Sequence, residues 1–131
     1  IASSMSGYIS IKLTELYNIN NLILFVPALY AEDAYYINFG KDFTNIIRKD
    51  KSWENTDSFN IANKYKGNVL LISAEMDNVI PKELTYKLIN SFNNIEKYEI
   101  KEGIHSVFSY IYELDEYNII LNKIVSIIKR Y

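Results

Sequence analysis

Ser4 sits in the run Ile1-Ala2-Ser3-Ser4-Met5-Ser6-Gly7, with small residues at −2 and +2 (Ala2, Ser6) and glycine at +3. Such a run suits a sharp strand-to-helix turn, because a backbone that folds back on itself leaves no room for side chains beside its tip. Ser4, at the tip, is then presented above the end of a sheet. A serine hydroxyl is a weak nucleophile at neutral pH and needs a positioned base. The chain holds a single histidine, His105, in Glu102-Gly103-Ile104-His105, and a loop aspartate, Asp77, in Ala74-Glu75-Met76-Asp77. A hydroxyl, an imidazole and a carboxylate are the parts of nucleophilic acyl transfer: His105 to take the proton of Ser4, Asp77 to hold the imidazole tautomer.

These groups need elements that bring them together. Val69-Leu70-Leu71-Ile72 is a continuous apolar run, as expected of a parallel strand buried on both faces, and Asp77 falls just past its carboxyl end. Lys97-Tyr98-Glu99-Ile100-Lys101 alternates like a strand and is followed by the loop that carries His105. Leu22-Ile23-Leu24-Phe25-Val26 is apolar throughout and predicts a buried strand with neighbours on both sides. Met5, Ile9, Leu13 and Leu16 recur at helical spacing, which predicts a helix starting at the elbow with its positive dipole end beside Ser4. Pro81 opens a further helix with Leu84, Leu88, Ile89 and Phe92 on one face, and Ile120, Ile124, Ile127 and Ile128 stripe a closing helix. Residues 31–66 are the least regular part.

The elbow-like run, the order Ser4, Asp77, His105, and the segments Gly67–Pro81 and Gly103–Ser106 together resemble the α/β-hydrolase superfamily. The outer glycines of its G-x-S-x-G elbow are replaced here by Ala2 and Ser6. The resemblance spans the chain and is weakest between residues 31 and 66. It implies an α/β fold, the C-terminal part of an α/β-hydrolase domain over residues 1–131, with parallel strands, helices on both faces and the N-terminal strands missing. Residues 31–66 then correspond to a lid or insertion. With only three strand candidates, one strand is expected to be left as an exposed hydrophobic edge. The resemblance implies a serine hydrolase acting through an acyl-enzyme on a carboxylic ester or thioester of small to medium size. The Met5 N–H would be one oxyanion donor; the other would come from the missing N-terminal half of the same protein, its expected partner. No cofactor or metal is implied. A non-catalytic binding module on the same fold, or an inactive fragment, are the alternatives.

Composition points to an ordinary packed domain. Lys and Arg number 14 against 16 Asp and Glu, a net charge of −2, with 49% hydrophobic residues. No basic patch suggests nucleic acid, and no apolar run approaches the roughly 20 residues that cross a bilayer. The absence of cysteine excludes disulfides and thiolate metal sites. A cytoplasmic location is the expectation.

Each candidate has a competitor. Ser4 could be a helix N-cap, and Ser3 is the adjacent alternative nucleophile. Asp77 could cap the helix after Pro81, and Glu32 or Asp33 could be the acid instead. Glu75 and Glu102 read as solvated charges. Phe39, Phe43 and Trp53 could line an acyl pocket, or pack an amphipathic lid onto the body.

Overall fold

A computed structural model describes residues 1–130. The elements run β1 (Ala2–Ser3), α1 (Ser6–Leu16), β2 (Asn21–Phe25), α2 (Lys41–Ile47), α3 (Ser58–Lys64), β3 (Asn68–Ala74), α4 (Lys82–Ser91), β4 (Ile95–Ile100) and α5 (Tyr117–Ile128), with short 3₁₀ turns between them. The described strands form one sheet in the order β1-β2-β3-β4, and every pair is parallel. The sheet therefore has four strands where the sequence suggested three. The extra one is the two-residue entry to the elbow, too short to leave a periodic signal.

Strand alternation splits the core in two. Leu22, Leu24, Val69 and Leu71 face one side and pack with Ile11 of α1, Ile61 and Ala62 of α3, and Leu84 and Leu88 of α4. Ile23, Phe25, Leu70 and Ile72 face the other and pack with Ile120 and Ile127 of α5. A parallel strand covered on both faces has no solvent side, so β2 and β3 read as unbroken apolar runs. The expected hydrophobic edge is partly avoided. β1 pairs with β2 only at Ala2–Leu24 and Ser3–Phe25, so Asn21 to Ile23 have no strand partner on that side among the described residues. The opposite edge, β4, carries Glu96, Lys97 and Glu99, charges that discourage edge-to-edge pairing.

Two helix faces differ from the sequence expectation. In α1 the buried residues are Gly7, Tyr8, Ile11 and Lys12, whereas Met5, Ile9 and Leu16 are exposed and Leu13 is half-buried. The cause is the close approach of the helix start to the turn after β2: a Cβ on Gly7 would lie 2.7 Å from Pro27 Cβ. That approach rotates the glycine side inward and the Met5–Ile9 side outward. In α5, Ile120 and Ile127 are buried and Ile124 packs at their margin, but Ile128 lies about 100° further round and is exposed. No helix among the described residues is long and apolar enough to cross a membrane.

Glu96 ties α5 to the edge strand, accepting from Lys123 Nζ at 2.6 Å and Arg130 Nη2 at 3.0 Å. The Lys123 hydrogen bond chiefly holds its carboxyl below the usual glutamate range, with Arg130 adding to it and partial burial opposing. A carboxylate depressed in the folded state stabilises above its unfolded pKa of about 4.3, and that contribution disappears as pH falls through the folded value.

Two outcomes follow from the packing. Gly7→Ala should destabilise the chain by about 1–3 kcal/mol in urea unfolding, as overpacking against a rigid proline does. Glu96→Gln should lower stability by roughly 0.5–1 kcal/mol at pH 7, and the gap to wild type should close as urea midpoints are followed from pH 5 to pH 3.

Candidate active site

β1 ends at Ser3, and the chain reverses at Ser4, whose φ of 50° lies in the left-handed region. A residue with a Cβ pays roughly 1–2 kcal/mol there, so the turn must be held from outside. Ser4 N–H donates to the Phe25 carbonyl at 2.9 Å, and the Ser4 carbonyl accepts from Gly7 N–H and Ala28 N–H, each at 2.9 Å. Ser6 adds a clamp of its own: its Oγ accepts from Ser3 N–H at 2.8 Å and donates to the Ser3 carbonyl at 2.7 Å. The serine that replaces the outer elbow glycine thus closes the turn with two hydrogen bonds.

The parallel sheet delivers the remaining groups. Asp77 stands three residues beyond β3 and His105 five residues beyond β4, on the sheet end where β1 hands over to Ser4. His105 Nε2 lies 2.8 Å from Ser4 Oγ, and His105 Nδ1 lies 2.9 Å from Asp77 Oδ2. The other carboxyl oxygen, Asp77 Oδ1, accepts from Val79 N–H at 2.8 Å and Ile80 N–H at 2.9 Å. Asp77 therefore shapes its own loop with one oxygen and meets the imidazole with the other. With the Asp77 oxygen as acceptor, Nδ1 carries the proton and Nε2 is left to accept from the Ser4 hydroxyl. The side chains of Asp77 and His105 are 7% and 21% exposed, so the pair is shielded while the serine end stays reachable.

The competing assignments separate in space. His105 bonds Ser4 and makes no hydrogen bond to Ser3, and its carboxylate partner is Asp77; Glu32 and Asp33 are exposed and make no bond to it. Met5 N–H, at the start of α1, has no hydrogen-bond partner among the described residues, which leaves it free for a ligand oxygen. Glu75, read from the sequence as a solvated charge, is half-buried and its Oε2 accepts from Glu102 N–H at 2.8 Å.

Two cavities flank the serine. One of about 530 Å³ is lined by Ser4 itself with Tyr30, Ile47, Trp53, Ile80 and Leu84. The other, about 210 Å³ and half aromatic in its lining, includes Met5, Tyr8, Tyr30, Tyr35, Phe39 and Phe43. The three aromatic residues singled out in the sequence are thus divided between them, Trp53 in the first, Phe39 and Phe43 in the second. Trp53 is buried and also belongs to the body core, while Phe39 is exposed and stacks edge-to-face on Phe43 at 4.9 Å. The second cavity is pinned from below by Lys12, which pairs with Asp57 and lies 4.5 Å from the Tyr35 ring centroid. Tyr8 donates to the other Asp57 oxygen at 3.2 Å; burial, then the Asp57 charge, push its hydroxyl pKa upward. Burial works against the charge on Lys12, but its bond to Asp57 prevails and raises it. Among the described residues, no group of three or more His, Asp or Glu side chains is placed to hold a metal ion.

The arrangement has counterparts among solved structures. A monoacylglycerol lipase from Paleococcus ferrophilus superposes with a TM-score of 0.64 over 95% of this chain and 65% of its own, at 18% identity. The fold is that of the α/β-hydrolases. MGS-MChE2, an α/β-hydrolase enzyme from the metagenome of lagoon sediments at Mar Chica, Morocco, matches at TM-score 0.65 and 19% identity, over 92% of this chain and 57% of that one. A structure from the pair LipS and LipT, two metagenome-derived lipolytic enzymes, gives 0.67 and 13%, over 98% and 63%. The chain thus spans roughly three-fifths of the length of each of these three structures. No protein-family model matches the chain, and no curated protein matches it either.

The tautomer of His105 is testable without knowing a substrate. Asp77→Asn, which turns the acceptor facing Nδ1 into an ambiguous amide, should mix the imidazole tautomers, read from the ¹⁵N shifts of the single histidine.

Proposed function

We propose that this chain carries the reacting groups of a serine hydrolase acting on carboxylic esters or thioesters. The observation that supports it best is the unbroken hydrogen-bond chain from Ser4 Oγ through the imidazole to Asp77 Oδ2, at 2.8 and 2.9 Å. Each α/β-hydrolase-fold neighbour named above is a hydrolytic or lipolytic enzyme by its own description, which favours hydrolysis over a binding role.

On this reading Ser4 Oγ attacks the substrate carbonyl carbon while its proton passes to His105 Nε2. The carbonyl oxygen becomes the oxyanion and receives the Met5 N–H, aided by the positive end of α1. Collapse of the tetrahedral adduct breaks the bond to the leaving alcohol or thiol, which takes the proton back from Nε2. Water then repeats the sequence on the acyl-Ser4 ester, giving up a proton to His105 and releasing the acid. Asp77 keeps the imidazole in the Nδ1–H tautomer and stabilises the imidazolium between these steps. An oxyanion donor contributes on the order of 3 kcal/mol.

The two cavities suggest how a substrate lies. The aromatic one begins at Met5, next to the proposed oxyanion contact, and suits the acyl group, with Phe39 and Phe43 as its walls. An apolar cavity of roughly 150 Å³ accommodates benzene, so 210 Å³ suits a benzoyl or a short aliphatic acyl group. The larger cavity, with Trp53, is left for the leaving group.

The deciding experiment is labelling with a fluorophosphonate probe followed by peptide mass spectrometry, on this chain and on the longest available form of the protein. An adduct on Ser4 that is lost in His105→Ala and slowed about 10³- to 10⁴-fold in Asp77→Asn supports the reading. No adduct on folded protein in either form would leave a binding module on a hydrolase fold. In ester hydrolysis, Phe43→Trp should shorten the longest acyl chain accepted in a p-nitrophenyl ester series, with short esters little affected.

A further inference from the structure

The acid loop and the histidine loop are joined to each other before either reaches Ser4. Glu75 N–H donates to the Ile100 carbonyl at 3.0 Å, Met76 N–H to the Gly103 carbonyl at 2.8 Å, and Gly103 N–H to the Ile100 carbonyl at 3.2 Å. These backbone bonds hold the end of β4 against the end of β3, and Gly103 is packed so closely that a Cβ there would lie 2.9 Å from Ile100 Cγ2. One residue of the turn is in a disfavoured conformation: Glu102, three positions before His105, has φ 53°. Its N–H is the donor that the Glu75 carboxylate accepts at 2.8 Å. Glu75 is itself two residues before Asp77, so a single side chain spans the two loops that must meet.

We propose that Glu75 is a positioning residue: by holding the Glu102 N–H it fixes the left-handed turn, and through it the reach of His105 to both Asp77 and Ser4. Its carboxylate acts as an acceptor for the turn and touches no reacting atom. A change at Glu75 is transmitted because the turn between Ile100 and His105 is short and its other bonds, Gly103 N–H to Ile100, Met76 N–H to Gly103 and Ile104 N–H to Tyr110 Oη at 3.1 Å, leave the Glu102 N–H unsupported. The catalytic consequence rests on the serine-hydrolase reading; the structural consequence does not.

The test compares wild type with Glu75→Gln, which keeps an acceptor oxygen at the same reach, and Glu75→Ala, which removes it. Two readouts are taken on the folded proteins: the ¹⁵N shifts of His105, which report its tautomer, and the rate of fluorophosphonate labelling at Ser4. Wild type and Glu75→Gln are expected to show one tautomer with the proton on Nδ1, and Glu75→Ala a mixture. Labelling in Glu75→Ala should fall by about 10- to 100-fold, the scale of a displaced catalytic group, and recover most of its rate in Glu75→Gln. If Glu75→Ala does not fold, Glu75→Asp takes its place, being one methylene short of the Glu102 N–H. A wild-type tautomer and rate in the truncated variant overturn the proposal, as does Glu75→Gln behaving like Glu75→Ala. Wild type without any adduct, combined with tautomer mixing in Glu75→Ala, overturns the hydrolase reading and leaves the positioning role standing.

Discussion

Parallel pairing is the constraint on which the rest of this molecule depends. Because β1, β3 and β4 run the same way, the residues that follow each of them emerge at one end of the sheet. Ser4, Asp77 and His105 are separated by 73 and 28 residues in sequence, yet each is only one to five residues beyond the end of a strand. The register of the ladder, with Ser3 opposite Phe25, Phe25 opposite Ile72 and Ile72 opposite Tyr98, sets their heights relative to one another. Parallel pairing also demands that helices cover both faces, and α1, α3 and α4 on one side with α5 on the other meet that demand.

The strain in the molecule is concentrated where this scaffold hands over to the site. Ser4, Val26 and Glu102 all have positive φ, and all three lie just beyond the carboxyl ends of strands. Each is held through its own backbone N–H: Ser4 N–H to the Phe25 carbonyl, Val26 N–H to the Ile72 carbonyl at 2.8 Å, and Glu102 N–H to the Glu75 carboxylate. A turn that costs energy locally persists only when its surroundings over-determine it. Here the surroundings are the strand ends themselves, so sheet stability and site geometry are coupled. Ser6 and Gly7 serve the same end from the helix side, one by bonding Ser3 and the other by letting α1 lie against Pro27.

Residues 31–66 connect body and site in a graded way. Their last helix, α3, is part of the core through Ile61 and Ala62, and Trp53 belongs both to that core and to the wall of the cavity at Ser4. Further out, Phe39 stacks on Phe43 and Phe43 on Tyr30, while Tyr35 packs against Tyr36, Tyr8 and Lys12. The Lys12–Asp57–Tyr8 cluster fastens this outer part to α1, and its half-buried ion pair is costly to break from one side only, since either partner left alone is a charge without a counter-ion.

The sequence by itself determined the class of the fold and the identity of the groups that meet. Unbroken apolar runs over Leu22–Val26 and Val69–Ile72 are of strand length and read as buried parallel strands, and a chain with one histidine offers one imidazole. It also placed α1, α4 and α5, because helical spacing of Ile and Leu survives small errors at the ends. Tertiary structure decided what periodicity does not encode. The two-residue β1 exists only because β2 offers it an edge. The inward face of α1 follows from Gly7 packing on Pro27, against the apolar stripe that the sequence displays. The bond between Glu75 and the Glu102 N–H, like the pairing of His105 with Ser4 rather than Ser3 and with Asp77 rather than Glu32 or Asp33, depends on distances across strands. Spacing along a chain reports which face a residue shares with its neighbours; which partner lies across the sheet is set by register and by the strained turns that end each strand.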